Sequence, residues 1–372
     1  MANIFDYLAW RGDLTFDVSP FNEVDNLILS MLSFINYKDI VPTGMLGTPV
    51  KLSKCRELKE ARATSTENFG KIIPKAVYDL FLAAAASKRF SDVYVTYFKE
   101  DTNLRETKQF AAVTFILPDN SLFVAYRGTD DSIVGWREDF NLSFTRETMS
   151  QKAAVDYLTK IASVYRGKIR TGGHSKGGNH AVYAAVFAPD SVRDRIITAY
   201  SNDGPGFVSE IINSPEYAGM EEKICTIVPQ SSIIGMLLEH KANYSVIESS
   251  EKGGFFQHNP FSWSVLGTAF IHMDSLSEKG KRHDEVMSTW LSQLSSEERR
   301  IFTDTLFGVI ESTGAKNVTE LTTDQFSKIT AAVKAYGSLD RDTKEKMYSL
   351  LHSRIFSQMS SALFQRQDTA EH

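Results

Sequence analysis

The sequence predicts an α/β protein: a mostly parallel sheet flanked by helices, with a helical C-terminal appendage. Two observations carry this. Between Val93 and Val228, short apolar runs of strand length alternate with segments of helical periodicity, the pattern of parallel strands joined by crossover helices. Beyond about Lys281 the strand-like runs stop, and apolar residues recur at helical spacing amid balanced charge. At 372 residues the chain is too long for one small domain. The expected division is a main domain over 1–280, with an N-terminal helical extension, and an appendage over 281–372.

The elements follow in order. Val24, Leu27, Ile28, Met31, Leu32 and Ile35 repeat at helical spacing, and Pro42, Gly44, Gly47 and Pro49 then mark a connector. Pro74 opens a helix through Val77, Leu80, Phe81 and four alanines. Residues 93–98, 110–117 and 122–126 read as strands, the last two joined by the hairpin-like turn Pro118-Asp119-Asn120-Ser121. A helix carrying Ala153, Ala154, Tyr157, Leu158 and Ile161 precedes the short run 168–171. The helix over 181–188 stops at Pro189, and the runs 195–200 and 223–228 end in turn residues. In the appendage Met287, Trp290, Leu291 and Leu294 share a face, and 301–310, 326–333 and 347–356 continue the style. Thr323-Asp324 resembles a helix start and Gly337 a stop.

Composition narrows the function. Forty-one basic against 46 acidic residues leave a net charge of -5, which argues against a dominant nucleic-acid surface. No apolar run has the ~18–20 residues needed to span a bilayer. Asp6 stands where a signal peptide would carry lysines, and Cys55 and Cys225 are too few for a disulfide framework or a four-ligand zinc site. A cytoplasmic protein without metal or cofactor is expected.

The chemistry concentrates in Gly173-His174-Ser175-Lys176-Gly177-Gly178, a G-x-S-x-G string with a strand-like run before it and a small-residue helix after it. In that setting the serine sits on a strained strand-to-helix turn, where side chains two positions to either side would collide. The helix start supplies free amides for a developing oxyanion. The alternative is a glycine-rich turn carrying a solvated serine.

A second string, Val124-Ala125-Tyr126-Arg127-Gly128-Thr129, is followed by Trp136 and Asp139. Together the two strings resemble the class 3 lipases of the α/β-hydrolase superfamily. Asp6-Tyr7-Leu8-Ala9-Trp10-Arg11-Gly12-Asp13-Leu14 and Phe256-Gln257-His258-Asn259-Pro260-Phe261 resemble a narrower bacterial family of uncharacterised lipase-like proteins. The resemblance covers roughly residues 1–280. It implies an oxyanion hole built from Thr129, through its backbone N–H and hydroxyl, and the N–H of Lys176. It also implies a helical lid from Asp130 to about Thr148, expected to be mobile. Arg127 reads best as a structural ion pair behind the loop.

Of eight histidines, His258 lies downstream of the last readable strand, where α/β-hydrolase chain order puts the base. A structural histidine is the alternative. His174 and His180 are too close to Ser175 in the chain. The acid departs from the lipase pattern, because the run after Val228 (Pro229-Gln230-Ser231-Ser232) has no carboxylate. Asp203, after the preceding strand, is the one well-placed carboxylate, with a turn aspartate before glycine as its alternative. Ser232 occupies the position of the lipase acid and is a possible orienting residue. The expected function is a serine hydrolase acting on a small acyl ester or lipid through Ser175, His258 and Asp203. The competing expectation is a weak or inactive hydrolase-fold module that binds partners through its tail. Oligomeric state is not legible.

Overall fold

The computed structural model describes residues 1–44, 47–61, 75–241, 244–282, 284–285, 294–317, 320, 341 and 345. Strands are β1 (Val50–Lys51), β2 (Tyr94–Asn103), β3 (Lys108–Ile116), β4 (Leu122–Tyr126), β5 (Ile169–His174), β6 (Ile196–Asn202), β7 (Ile224–Pro229), β8 (Tyr244–Ile247), β9 (Val265–Leu266), β10 (Ala269–Phe270) and β11 (His272–Met273). The longer helices are α1 (Ile4–Arg11), α2 (Glu23–Leu32), α3 (Leu52–Ala61), α4 (Ala76–Ala86), α5 (Ile133–Asn141), α6 (Met149–Val164), α7 (Lys176–Phe187) and α8 (Ser296–Ser312).

One sheet runs in the order β1-β2-β3-β4-β5-β6-β7-β8-β11. Its centre, β4 to β8, is parallel; β1 to β4 pair antiparallel, as does β11 with β8. This is the expected α/β architecture. The turn at 118–121 closes the β3–β4 hairpin, with Leu117 N–H donating to Ser121 O. β4 is buried along its whole length, as a central strand covered on both faces must be. Phe123 and Ala125 join the core under α1 to α4, while Leu122, Val124 and Tyr126 join the core under α6 and α7.

The N-terminal helices belong to this sandwich. α1 and α2 each start with a capping box, Asn3 with Asp6 and Asn22 with Asp25, that satisfies first-turn amides. Val24 to Leu32 of α2 are all buried, and α2 packs across β5. Arg89 and Asp25, both fully buried, form a two-pronged ion pair that ties α4's C-terminal end to α2.

α8 packs on α5 and covers the segment expected to be a mobile lid. Phe307 and Ala315 meet Ile133, with Trp136, Phe140, Leu306 and Ile310 around them. Arg137 bonds Asp304 and Glu311, each at 2.9 Å, and Ile133 N–H donates to Lys316 O. Within the expected lid of 130–148, the helix α5 is packed against the sheet side and against α8, and Arg146 and Glu147 near the segment's end are exposed. The expected helix start at Pro74, Met287, Trp290, Leu291, and everything proposed over 323–356 lie outside the described residues. No described helix is long and apolar enough to cross a membrane.

Candidate active site

Ser175 joins β5 to α7 with φ 59° and ψ -135°. A non-glycine residue there is strained and persists only when its surroundings over-determine it. They do. Ser175 N–H donates to Asn202 O at 3.0 Å, and Gly178 N–H returns to Ser175 O at 2.8 Å. A Cβ on Gly173 would stand 2.2 Å from the Gly177 carbonyl carbon, and one on Gly177 would stand 2.2 Å from Tyr126 O. Both flanking glycines are thus sterically required. Behind the turn, the buried Asn202 amide donates to Gly173 O, Asn26 Oδ1 and Ser30 Oγ, while Asn26 Nδ2 donates to Asn202 Oδ1 at 2.8 Å. Two side chains of α2 therefore brace the elbow from below.

Asp203 follows β6 directly, with φ 51° and its N–H donating to Ile227 O at 2.8 Å. Its carboxylate is fully buried and bonds His258 Nδ1 through Oδ2 at 2.7 Å. Ser232 Oγ donates to Asp203 Oδ1 at 2.5 Å and accepts Gly235 N–H. Ser232 thus touches the Asp203 carboxylate, and Asp203 in turn bonds the His258 ring. The loop of His258 is fixed by Gln257, whose side chain accepts Ser231 N–H and donates to Glu251 O, and by Trp263 Nε1 donating to Gln257 O. With Nδ1–H given to Asp203, Nε2 is the unprotonated nitrogen of neutral His258. Ser175 Oγ has no hydrogen-bond partner among the described residues; the adjacent pairing of His174 with Asn202 brings Ser175 and Asp203 out at neighbouring strand ends.

His174 supports the ring of His258. Their centroids lie 4.4 Å apart, and His174 Nε2 donates to His258 O at 2.8 Å. Burial, then the neighbouring His258, pushes His174 well below the usual histidine range, so it is neutral. His180 is buried against Phe110 and likewise held neutral by burial. His240 is lowered by burial too, and Asp203 is among the groups that raise it. His272 bonds Glu23 at the surface.

Thr129 lies three residues past the end of β4, and its hydroxyl donates to Asp139 Oδ2 at 2.5 Å. That hydroxyl proton is committed, which leaves the backbone N–H as Thr129's free donor type. Lys176 is the first residue of α7, where an amide has no intrahelical acceptor. Burial pushes Asp139 up to about 6, against the pull of Lys176 and the Thr129 hydrogen bond. Arg127 pairs with Glu100 at 2.7 Å, the structural role expected of it. Glu138, fully buried beside Lys176, was invisible in the sequence: an acid next to a motif residue looks like a solvated helix face until its partner is in place.

A family model described as Mbeg1-like matches residues 84–308. A search of curated proteins finds no match. Among solved structures, the chain is similar to the native lipase–propeptide complex of Rhizomucor miehei, at 12% identity and a TM-score of 0.37, over 73% of this chain and 90% of that one. It is similar to the M37 lipase at 16% identity and 0.34, over 56% and 68%. It is also similar to a triacylglycerol lipase of Penicillium expansum at 10% identity and 0.31, over 51% and 78%. With more than half its length matched by the family model, the chain belongs to the Mbeg1-like family.

Proposed function

We propose that the protein is a serine hydrolase of acyl esters, of the lipase, phospholipase or carboxylesterase type. In this reading Ser175 Oγ attacks the ester carbonyl while His258 Nε2 takes its proton. Asp203 holds the Nδ1–H and stabilises the imidazolium that forms. The Thr129 and Lys176 amides receive the oxyanion. His258 then protonates the leaving alcohol, and water, activated by the same ring, releases the acid from the acyl-enzyme. The carrying observation is the 2.7 Å bond from buried Asp203 to His258 at the rim where strained Ser175 emerges. An apolar acyl group suits the aromatic-rich chain, which holds 24 Phe and 14 Tyr.

The second reading, a weak or inactive binding module, has one observation behind it: Ser175 Oγ is not bonded to the ring. Catalytic hydrogen bonds are often long before substrate binds, so this weighs little. One experiment separates the readings. A fluorophosphonate probe should label folded wild-type protein between pH 6 and 9, and Ser175→Ala should abolish both labelling and p-nitrophenyl ester turnover, the latter by on the order of 10⁴–10⁶. Folded protein that resists labelling across that range would favour the binding module instead.

A further inference from the structure

The side chains of Glu138 and Lys176 bring charge into the interior next to the nucleophile, and the reaction above does not use them. Both are fully buried, with Nζ 3.2 Å from Oε2. Glu138 is saturated with donors: Gln109 N–H (3.0 Å) and Ser150 Oγ (2.7 Å) also reach Oε2, and Ser150 N–H reaches Oε1 at 3.0 Å. Lys176 Nζ has Gly135 O at 3.4 Å and Asp139 Oδ1 at 3.8 Å. Stability alone is a poor reason to keep such a pair, because desolvating two ions cancels much of their attraction and apolar replacements often fold as well. Its location supplies a better reason. Lys176 follows Ser175 and begins α7, while Glu138 stands on α5 next to Asp139, which takes the Thr129 hydroxyl.

We propose that Glu138 and the Lys176 side chain are positioning residues for acyl transfer: their buried ion pair fixes α5 against the first turn of α7 and so sets the spacing of the Thr129 and Lys176 amides. The inference rests on the hydrolase reading. The Lys176 charge has a second effect, since it opposes the burial that raises Asp139 and keeps that carboxylate available to the Thr129 hydroxyl. The groups acting on Asp139 are Lys176 from α7, Glu138 on α5, and Asp130 and Thr129 from the segment after β4; uncharged Gln109 of β3 bonds Asp130 and Glu138 behind them. Arg137, Asp304 and Glu311 form the separate cluster between α5 and α8.

The test uses the full chain as wild type, Glu138→Gln, Glu138→Asp and the double variant Glu138→Gln/Lys176→Met. Each is taken through a thermal melt, p-nitrophenyl ester kinetics from pH 5 to 9, and fluorophosphonate labelling. Glu138→Gln strands a buried ammonium and should lose both stability and activity. The double variant should regain wild-type melting, yet kcat should stay about 100-fold low with KM within about threefold, the size of losing one oxyanion donor. Its acid limb should move to higher pH, because Asp139 has lost its nearest cation. Recovery of kcat along with melting, on an unmoved pH profile, would make the pair merely structural and overturn the inference. Should the double variant not fold, Glu138→Asp decides: a shortened carboxylate with wild-type kcat overturns the inference, and a kcat about tenfold down supports it. Wild-type protein that is neither labelled nor active defeats the hydrolase reading itself, before any variant is compared, and this inference with it.

Discussion

Asp203 reaches His258 Nδ1 at 2.7 Å from just past the end of β6. The imidazole needs a carboxylate at Nδ1, and two adjacent strand ends of a parallel sheet deliver side chains to the same rim. Here β6 supplies the acid and the loop after β7 supplies Ser232, which bonds it. Asp203→Asn should lower kcat about 10⁴-fold with the fold intact, by favouring the wrong tautomer. Ser232→Ala removes one bond to a buried carboxylate and should cost roughly tenfold, read in the same steady-state assay. If the two variants lose equally little, the His258–Asp203 bond is not part of catalysis. Asp139 makes a separate prediction about pH. Its folded pKa of about 6 lies above the ordinary aspartate value of about 3.9, so the folded state holds the proton more tightly. Stability from this group is therefore full below about pH 4 and lost as pH rises through about 6. The melting temperature of Asp139→Asn, minus that of wild type, should climb between pH 4 and 7. A flat difference would show that Asp139 is not raised.

Among the elements, α5 has packing that its own sequence does not announce. The sequence after the Arg-Gly-Thr string mixes apolar residues with Gly135, which suits a hinged cover, and its helical character is correct. What the sequence cannot display is that Glu138 would be locked from within by Lys176 and Ser150, and that Phe307, 170 or so residues away in the chain, would cover the outer face. Helix periodicity reports one apolar stripe; it is silent about which distant stripe answers it. Phe307→Ala, combined with Arg137→Ala, should accelerate protease cleavage within 130–148 and amide exchange in α5 while leaving α6 protected. Unchanged exchange would mean that α8 only decorates the surface. The strand readings fare differently. β2, β3, β4, β6 and β7 carry apolar runs that stand out by eye and β5 only a short one, whereas β1, β9, β10 and β11 have two residues each and carry no period to detect.

At the scale of the whole molecule, the N-terminal helices are a face of the main sandwich. The core under the sheet draws Ile4, Tyr7, Leu27, Ile28, Leu32 and Cys55 together with Phe81, Phe115 and Phe123. The family match begins at residue 84, after most of that layer. A chain trimmed to 84–308 would expose the apolar faces of β3 and β4, and it should be insoluble or lack a cooperative melt. A sharp transition near that of the full chain would contradict the packing. The same architecture explains what was legible. The alternation of strands and helices from 93 to 228 is local and survives in the sequence, and so is the Gly-x-Ser-x-Gly turn. The brace that holds the turn, Asn26 to Asn202, and the pair that ties α4 to α2, Arg89 to Asp25, are polar side chains whose partners lie 176 and 64 residues away, and nothing local announces them.

That 176-residue span from Asn26 to Asn202 sets an order of events during synthesis. α2 leaves the ribosome early, with Val24, Leu27, Ile28, Met31 and Leu32 bare, and the strands it covers do not yet exist. At about 5–20 residues per second, β6 emerges roughly 10–35 seconds later. Until then α2 is a greasy helix without a seat, so the nascent chain offers chaperones a well-defined early target. Asn202 serves both sides, its side chain meeting Asn26 and Ser30 of α2 and its backbone carbonyl taking the Ser175 amide, so the elbow lacks that amide bond until β6 is made.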